Sequence, residues 1–384
     1  MKNGLTAAVF LVALFVFAAA GLLAPRQSHS AIENRELAAI PVPSAESLAS
    51  GRFTEDLDLY LLDHFPLRDA WAGLGSAVDF ALGQKDNGRV YFGAGGRLFA
   101  MDSVDFKQLD TNLGYIRSFI EAVSSAYPEL SVSVLPVPSA QNIAGDMLPA
   151  FAPVSDEGEA IRRIREGLGD LALVCDPTEA LSDAYRSGAQ LYYRTDHHWT
   201  ARGAYIAYRA WAKRCGRAAS PESDFAVYAV SEEFYGVNAA KAGLPWTAPD
   251  RMEVFARKDA PPVRMTVETG GTDAGAIRVT DSLYDASFLA ERDKSAYFLG
   301  GNNPVVTIDT DANDRTLLVL KDSFAHCFAP FLTAHFGRVI LVDPRYYRDG
   351  LARFFRENEI TDLLFLYSAV QLSNDRNLFY LQLQ

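Results

Sequence analysis

The last third of the chain contains three runs dominated by apolar residues, Thr316–Leu320, Arg338–Val342 and Asp362–Tyr367, separated by helix-patterned segments at Phe324–Phe336 and Gly350–Asn358. Apolar runs this short, with no polar alternation, are expected of strands buried on both faces, and helical crossovers between them make the sheet parallel. The same alternation occurs earlier. Phe106, Leu109, Leu113, Ile116, Phe119, Ile120 and Val123 form one helical stripe that Pro128 ends, and Leu130–Val137 then reads as a strand. A helix at Glu159–Leu168 and a strand at Leu171–Val174 follow. This pattern predicts an α/β fold with a sheet that is at least partly parallel.

Other segments depart from that rhythm. Phe53, Leu57, Tyr60 and Leu61 predict a helix, and Arg89–Phe99 predicts a hairpin turning through Gly93–Gly96. Residues 217–297 are rich in Pro, Asp and Gly, with strand-like runs at Val263–Glu268 and Ala276–Thr280 around Gly270–Gly271, and read as a β-containing insertion.

The N-terminus carries a targeting signal. Lys2 precedes an uncharged, apolar stretch from Gly4 to Leu23. As a helix it would span roughly 30 Å, the thickness of a bilayer core, whereas a cleaved signal has an apolar region of about 7–15 residues. Residues 1–24 are therefore read as a transmembrane signal anchor, and Pro25 argues against a core helix. Ser28 and Ser30 before Ala31 leave cleavage open, in which case the protein is secreted. Residues 25–50, with Pro41 and Pro43, form a linker, and 51–384 form the folded domain, which lies outside the cytoplasm.

A net charge of −12 without a cluster of Lys and Arg argues against a nucleic-acid partner. Three cysteines, Cys175, Cys215 and Cys327, make no disulfide framework and have no zinc spacing; Cys175 and Cys215 are the pair best suited to a single bridge.

In open parallel sheets, ligands bind beyond the carboxyl ends of the strands. In this sequence those ends carry Lys321-Asp322-Ser323, then Asp343 and Arg345, then Tyr367 and Ser368. Ser323 at a strand-to-helix turn reads as an exposed nucleophile or, more plainly, as a helix cap. The second cluster is Thr195-Asp196-His197-His198-Trp199-Thr200, ahead of a helix starting near Ala201. In an extended segment Asp196 and His198 face one side, so Asp196 could hold His198 Nδ1–H and leave Nε2 as a base. His197 is the alternative base if a turn intervenes. Asp and His are also metal ligands, but no other His or Cys pair stands at ligand spacing. His64 reads as structural, His326 as a helix-surface residue, and His335 as a residue near a helix end.

The Asp-His-His-Trp string resembles the signature of the DHHW family of bacterial exported proteins. That family is similar to the periplasmic alginate O-acetylation proteins, which have SGNH-hydrolase-like domains and an Asp-x-His motif before a nucleophilic serine. The resemblance includes Glu33-Asn34-Arg35, Asp63-His64-Phe65-Pro66-Leu67-Arg68-Asp69 and Val90-Tyr91-Phe92-Gly93. It continues through Gly300-Gly301-Asn302, Leu318 to Phe324, and Val342-Asp343-Pro344-Arg345-Tyr346. It implies an SGNH-hydrolase-like three-layer α/β/α domain whose motif order is permuted, with Ser323 as nucleophile, His198 as general base and Asp196 as its orienting partner.

The implied activity is that of an acetylesterase or O-acetyltransferase acting on an extracellular polysaccharide without metal or organic cofactor. A membrane-bound O-acyltransferase is the implied partner. One departure stands out: the block reads Lys321-Asp322-Ser323 where SGNH enzymes carry Gly-Asp-Ser. No separate Gly and Asn oxyanion blocks stand out either, so Gly301, Asn302, Arg345, Tyr367 and the Ser323 N–H are the candidates for the oxyanion or substrate. Two rival readings are a non-catalytic polysaccharide-binding or assembly factor and a metal-dependent hydrolase.

Overall fold

Val, Leu and Ile dominate the apolar runs, and in the computed structural model they form strands. The structure describes residues 2–23, 28–30, 35–270, 275–291 and 294–381. Pro25, Ala31, Glu33, Asn34 and Gly271 lie outside the described residues.

Eight strands make one mixed sheet: β1 (Ser131–Val137), β2 (Leu173–Val174), β3 (Val263–Glu268), β4 (Ile277–Thr280), β5 (Val305–Thr310), β6 (Thr316–Lys321), β7 (Arg338–Val342) and β8 (Ile360–Ser368). Their spatial order is β4-β3-β5-β7-β6-β8-β1-β2. The block β7-β6-β8-β1-β2 is parallel, and β5, β3 and β4 extend it antiparallel.

Helix α1 (Lys2–Leu23) has the length and apolarity to cross a membrane, and none of its span from Gly4 to Gly21 is buried. Helices α2 (Phe106–Ala126), α3 (Glu157–Leu168) and α4 (Ala201–Arg214) pack on the sheet. Successive side chains of a strand point to opposite faces, and the core divides accordingly. Leu317, Val319, Leu364, Leu366 and Leu135 pack with Tyr205, Tyr208 and Trp211 of α4. Leu318, Leu320, Leu363, Phe365 and Val134 pack with Leu109, Ile116, Phe119 and Ile120 of α2 and Ile161 and Ile164 of α3. These are the three layers, and each fully buried Leu, Val or Phe contributes about 1.5–3 kcal/mol. Asp105 caps α2 by accepting from Gln108 N, and Thr200 caps α4 by accepting from Gly203 N.

Two expectations change, and further elements come into view. The helix expected over Phe324–Phe336 is two short pieces, a 3-10 turn at Ser323–Ala325 and a helix at Ala329–Leu332. Pro330 accounts for this: it has no N–H to donate to the preceding turn, so it fits only in the first turn of a new helical piece, where it is found. The strand-like runs of residues 217–297 do not stand apart: β3 and β4 extend the edge of the main sheet. That region also holds an antiparallel pair, Phe225–Phe234 with Asp250–Arg257, that the composition concealed. Helices at Arg68–Ala81 and Thr178–Arg186 and strand β5 were also not evident from periodicity.

Candidate active site

The parallel arrangement brings the carboxyl ends of β6, β7, β8 and β1 to one edge of the sheet. At the end of β6, Asp322 bridges two strands. Its Oδ1 accepts from Phe324 N at 2.9 Å and its Oδ2 from the N of Ser368, the last residue of β8, at 2.8 Å. The carboxylate thus shapes the turn that presents Ser323. Burial pushes the Asp322 pKa up, against the opposing pull of Arg345 and of these two N–H bonds.

The Asp-His-His-Trp segment reaches Ser323 from the other side and is held at several points. Asp250 Oδ2 accepts from Thr195 N at 2.8 Å and from Thr195 Oγ1 at 2.7 Å. Trp199 is fully buried, and its Nε1 donates to Phe324 O at 3.0 Å, tying the segment to the serine turn. The segment is a turn rather than an extended strand, since Tyr193 N donates to His198 O at 3.2 Å. Asp196 makes that turn in the way short carboxylates do, with Oδ1 accepting from the His198 backbone N–H at 2.9 Å.

The same Asp196 Oδ1 lies 2.6 Å from His198 Nδ1, and His198 Nε2 lies 2.7 Å from Ser323 Oγ. Val237 N donates to Asp196 Oδ2 at 2.8 Å. Burial works against the charge on Asp196, but His197, His198 and these hydrogen bonds hold its carboxyl well below the usual carboxylate range. An ionised Asp196 fixes the tautomer: Nδ1–H donates to it, and Nε2 accepts from the Ser323 hydroxyl. Gly236 permits the approach, because a Cβ there would overlap the Asp196 side chain.

His197 packs against His198 with ring centroids 3.9 Å apart and the rings tilted by 37°, and its Nδ1 is 3.7 Å from Asp196 Oδ1. Desolvation in the recess and the adjacent His198 push its pKa down to about 3. Donor atoms of Asp196, His197 and His198 fall within 4.8 Å of one another, the spread of a metal site. Both ring nitrogens of His198 are already engaged, however, so a metal bound there would have to displace Asp196 or Ser323.

Two cavities meet at this point. One, of about 790 Å³, has polar walls that include Ser139, Gln141, Asn142, Asn238, Gln371 and Asn374. The other, of about 700 Å³, is walled by Tyr193, Phe234, Met252, Phe288, Phe298 and Cys327 among others. Ser323, His197 and Arg345 border both. Gly301 and Asn302 border the second only. Tyr367, expected at the site from its position at a strand end, is 1% exposed and borders neither, because strand alternation turns it into the core beneath α2 and α3.

His326 is not on a helix surface: it is buried, and its Nε2 lies 3.0 Å from Lys321 Nζ. His64 Nε2 contacts Ala38 O, in keeping with a structural role, and His335 Nε2 meets the Tyr208 hydroxyl. Asp250, Gly236 and Val237 escaped the sequence reading, since each acts through backbone proximity that leaves no motif.

Residues 98–272 match the family model for the SGNH hydrolase-like domain of the acetyltransferase AlgX. No curated protein matches the chain significantly. Among solved structures, a DHHW family protein from Eubacterium siraeum is similar at a TM-score of 0.61 and 20% identity, over 76% of this chain and 97% of that one. Bacillus cereus PatB1 is similar at a TM-score of 0.64 and 19% identity, over 74% of this chain and 97% of its own. PatB1 with a sulfonyl adduct gives a TM-score of 0.63 at 18% identity, over 75% and 98%. The fold is therefore an SGNH hydrolase-like α/β fold built on a mixed sheet, with one N-terminal apolar helix.

Proposed function

We propose that the protein is an extracytoplasmic serine acyltransferase or esterase acting on O-acetyl groups of a polysaccharide, anchored to the membrane by α1. The observation that carries this reading is the continuous hydrogen-bond relay from Asp196 through His198 to Ser323. The resemblance to acetyltransferase domains supports the choice of acyl group.

In this reading Ser323 Oγ attacks the acyl carbonyl while its proton passes to His198 Nε2, and Asp196 stabilises the imidazolium. Collapse of the tetrahedral intermediate expels the donor's alcohol or thiol, which takes the proton from His198, leaving acetyl-Ser323. A sugar hydroxyl or water then gives its proton to His198 and attacks the ester. Ser323 leaves and recovers the proton. The oxyanion requires donors near the serine; Arg345, which borders both cavities with Ser323, and the Ser323 N–H are the proposed donors, with Gly301 and Asn302 bordering the second cavity. These steps involve no metal or organic cofactor. As a transferase the protein would receive its acetyl group from a membrane-bound O-acyltransferase.

The polar cavity beside Ser323 also suits the second reading, glycan binding without turnover. Brief exposure of the full-length protein to p-nitrophenyl acetate, followed by intact mass and peptide mapping, separates the two. An acetyl adduct on Ser323, absent from Ser323→Ala, is expected. A folded protein with neither adduct nor ester turnover would shift the assignment to binding or assembly. A sulfonyl fluoride is a second probe of the same serine.

A further inference from the structure

Lys321 stands where SGNH enzymes carry glycine, and the relay does not use it. It is 1% exposed at the end of β6, and Asp343, which follows β7, is fully buried. Lys321 Nζ lies 3.0 Å from Asp343 Oδ2 and 3.0 Å from His326 Nε2. Burial and the neighbouring Lys321 push the His326 pKa well below its usual value, so its imidazole is a neutral acceptor for the ammonium. Arg345 holds the same carboxylate, with Nε 2.8 Å from Oδ1 and Nη2 2.7 Å from the Oδ2 that Lys321 also contacts. The Arg345 backbone N also donates to Oδ1, at 3.2 Å.

A buried ion pair adds little stability over well-packed apolar residues of the same volume, so stability alone does not explain an ammonium here. Its geometric effect is specific. The two-point contact uses the Nε and Nη2 edge of Arg345 and turns Nη1 away from Asp343. A carboxylate held only by one arginine can swing with it. A donor from a second residue, on a rigid strand and itself held by His326, fixes the carboxylate and with it the guanidinium. Arg345 borders both cavities together with Ser323.

We propose that Lys321 and Asp343 are positioning residues that lock the Arg345 guanidinium at the neck between the two cavities, where it stabilises the oxyanion formed at Ser323. The kinetic part rests on the acyl-transfer reading above; the structural part does not.

The test pairs Lys321→Met, which keeps an unbranched apolar stem and removes the ammonium, with Arg345→Ala and the double variant, all as full-length protein in detergent. With p-nitrophenyl acetate, kcat of Lys321→Met is expected to fall roughly 10-fold, a fraction of the ~10²–10³ for a lost oxyanion donor, with KM nearly unchanged. In the Arg345→Ala background the same change should cost less than about 2-fold, because the two act as one unit. Equal losses in both backgrounds, or no loss in folded Lys321→Met, would overturn the proposal. If the methionine variant does not fold, Asp343→Asn, which preserves shape, takes its place in the same cycle. A crystal structure of whichever variant folds decides without activity: a displaced guanidinium supports the proposal, and an unmoved one refutes it. Wild-type protein that never acylates would remove the acyl-transfer reading alone, and the crystallographic result would still stand.

Discussion

His198 Nε2 and Ser323 Oγ lie 2.7 Å apart although 125 positions separate them in the chain. The contact depends on two anchors, the Asp250 carboxylate beneath Thr195 and the Trp199 indole bonded to Phe324 O. If this relay performs acyl transfer, Ser323→Ala abolishes both adduct and turnover. Asp196→Asn leaves the fold intact but lowers kcat by about 10³–10⁴-fold, because the amide favours the wrong imidazole tautomer. Steady-state kinetics on a p-nitrophenyl ester check both, and a loss below 10-fold for Asp196→Asn would contradict the assigned role.

Gly236→Ala tests the approach of the backbone to Asp196. The added methyl overlaps the carboxylate, so Asp196 must move and the tautomer is no longer fixed. A kcat loss of roughly 10-fold or more is expected with little change in KM. Wild-type kinetics in this variant would mean that the Asp196 position has slack.

Glu157, 5% exposed, accepts from Ser139 N at 2.7 Å and Ser139 Oγ at 2.6 Å beside the polar cavity. Burial pushes its carboxyl up to about 7, against the hydrogen bonds from Ser139 and Asn142. A carboxyl raised above its unfolded value of about 4.3 contributes stability that is complete below that pH and lost as pH rises through 7. The loss amounts to about 3–4 kcal/mol. Glu157→Gln should remove this slope, so thermal melts of the two proteins converge or cross between pH 5 and 8. Parallel curves would show that Glu157 does not titrate in that window.

Cys175 Sγ and Cys215 Sγ are 3.9 Å apart as thiols. In a glutathione redox buffer poised oxidising, the pair should give up two protons and two electrons to the oxidant and form a disulfide. That bridge would close a loop containing Asp196, His198 and all of α4, with a stabilisation of about 4 kcal/mol in the chain-entropy view. Non-reducing peptide mapping and the shift in Tm on reduction check this. Two free thiols after prolonged oxidation would refute it.

Chelation separates the relay from a metal site at Asp196, His197 and His198. Activity of protein purified without added ions should survive excess EDTA unchanged. Loss on chelation with recovery on adding zinc would favour the metal reading, since His198 cannot hold a metal through Nε2 and also accept from Ser323.

Local periodicity and composition were enough to read part of the fold. The apolar runs that became β1, β6, β7 and β8 were legible because strands buried on both faces need no polar alternation, and α2 was legible because its stripe repeats at helical spacing. Asp196, His198 and Ser323 stood out as residue types at the ends of such elements. Tertiary structure alone decided that these three meet, that His198 rather than His197 faces the serine, and that Tyr367 points away from it. It also decided that Lys321 is a buried partner of Asp343 and Arg345, and that residues 217–297 supply both the edge of the sheet and Asp250 beneath the histidine turn. The reason is physical: periodicity reports which face of an element is apolar. Hydrogen bonds between residues far apart in the chain depend instead on strand order and on close backbone approach, as at Gly236, and neither leaves a repeating signal in the sequence.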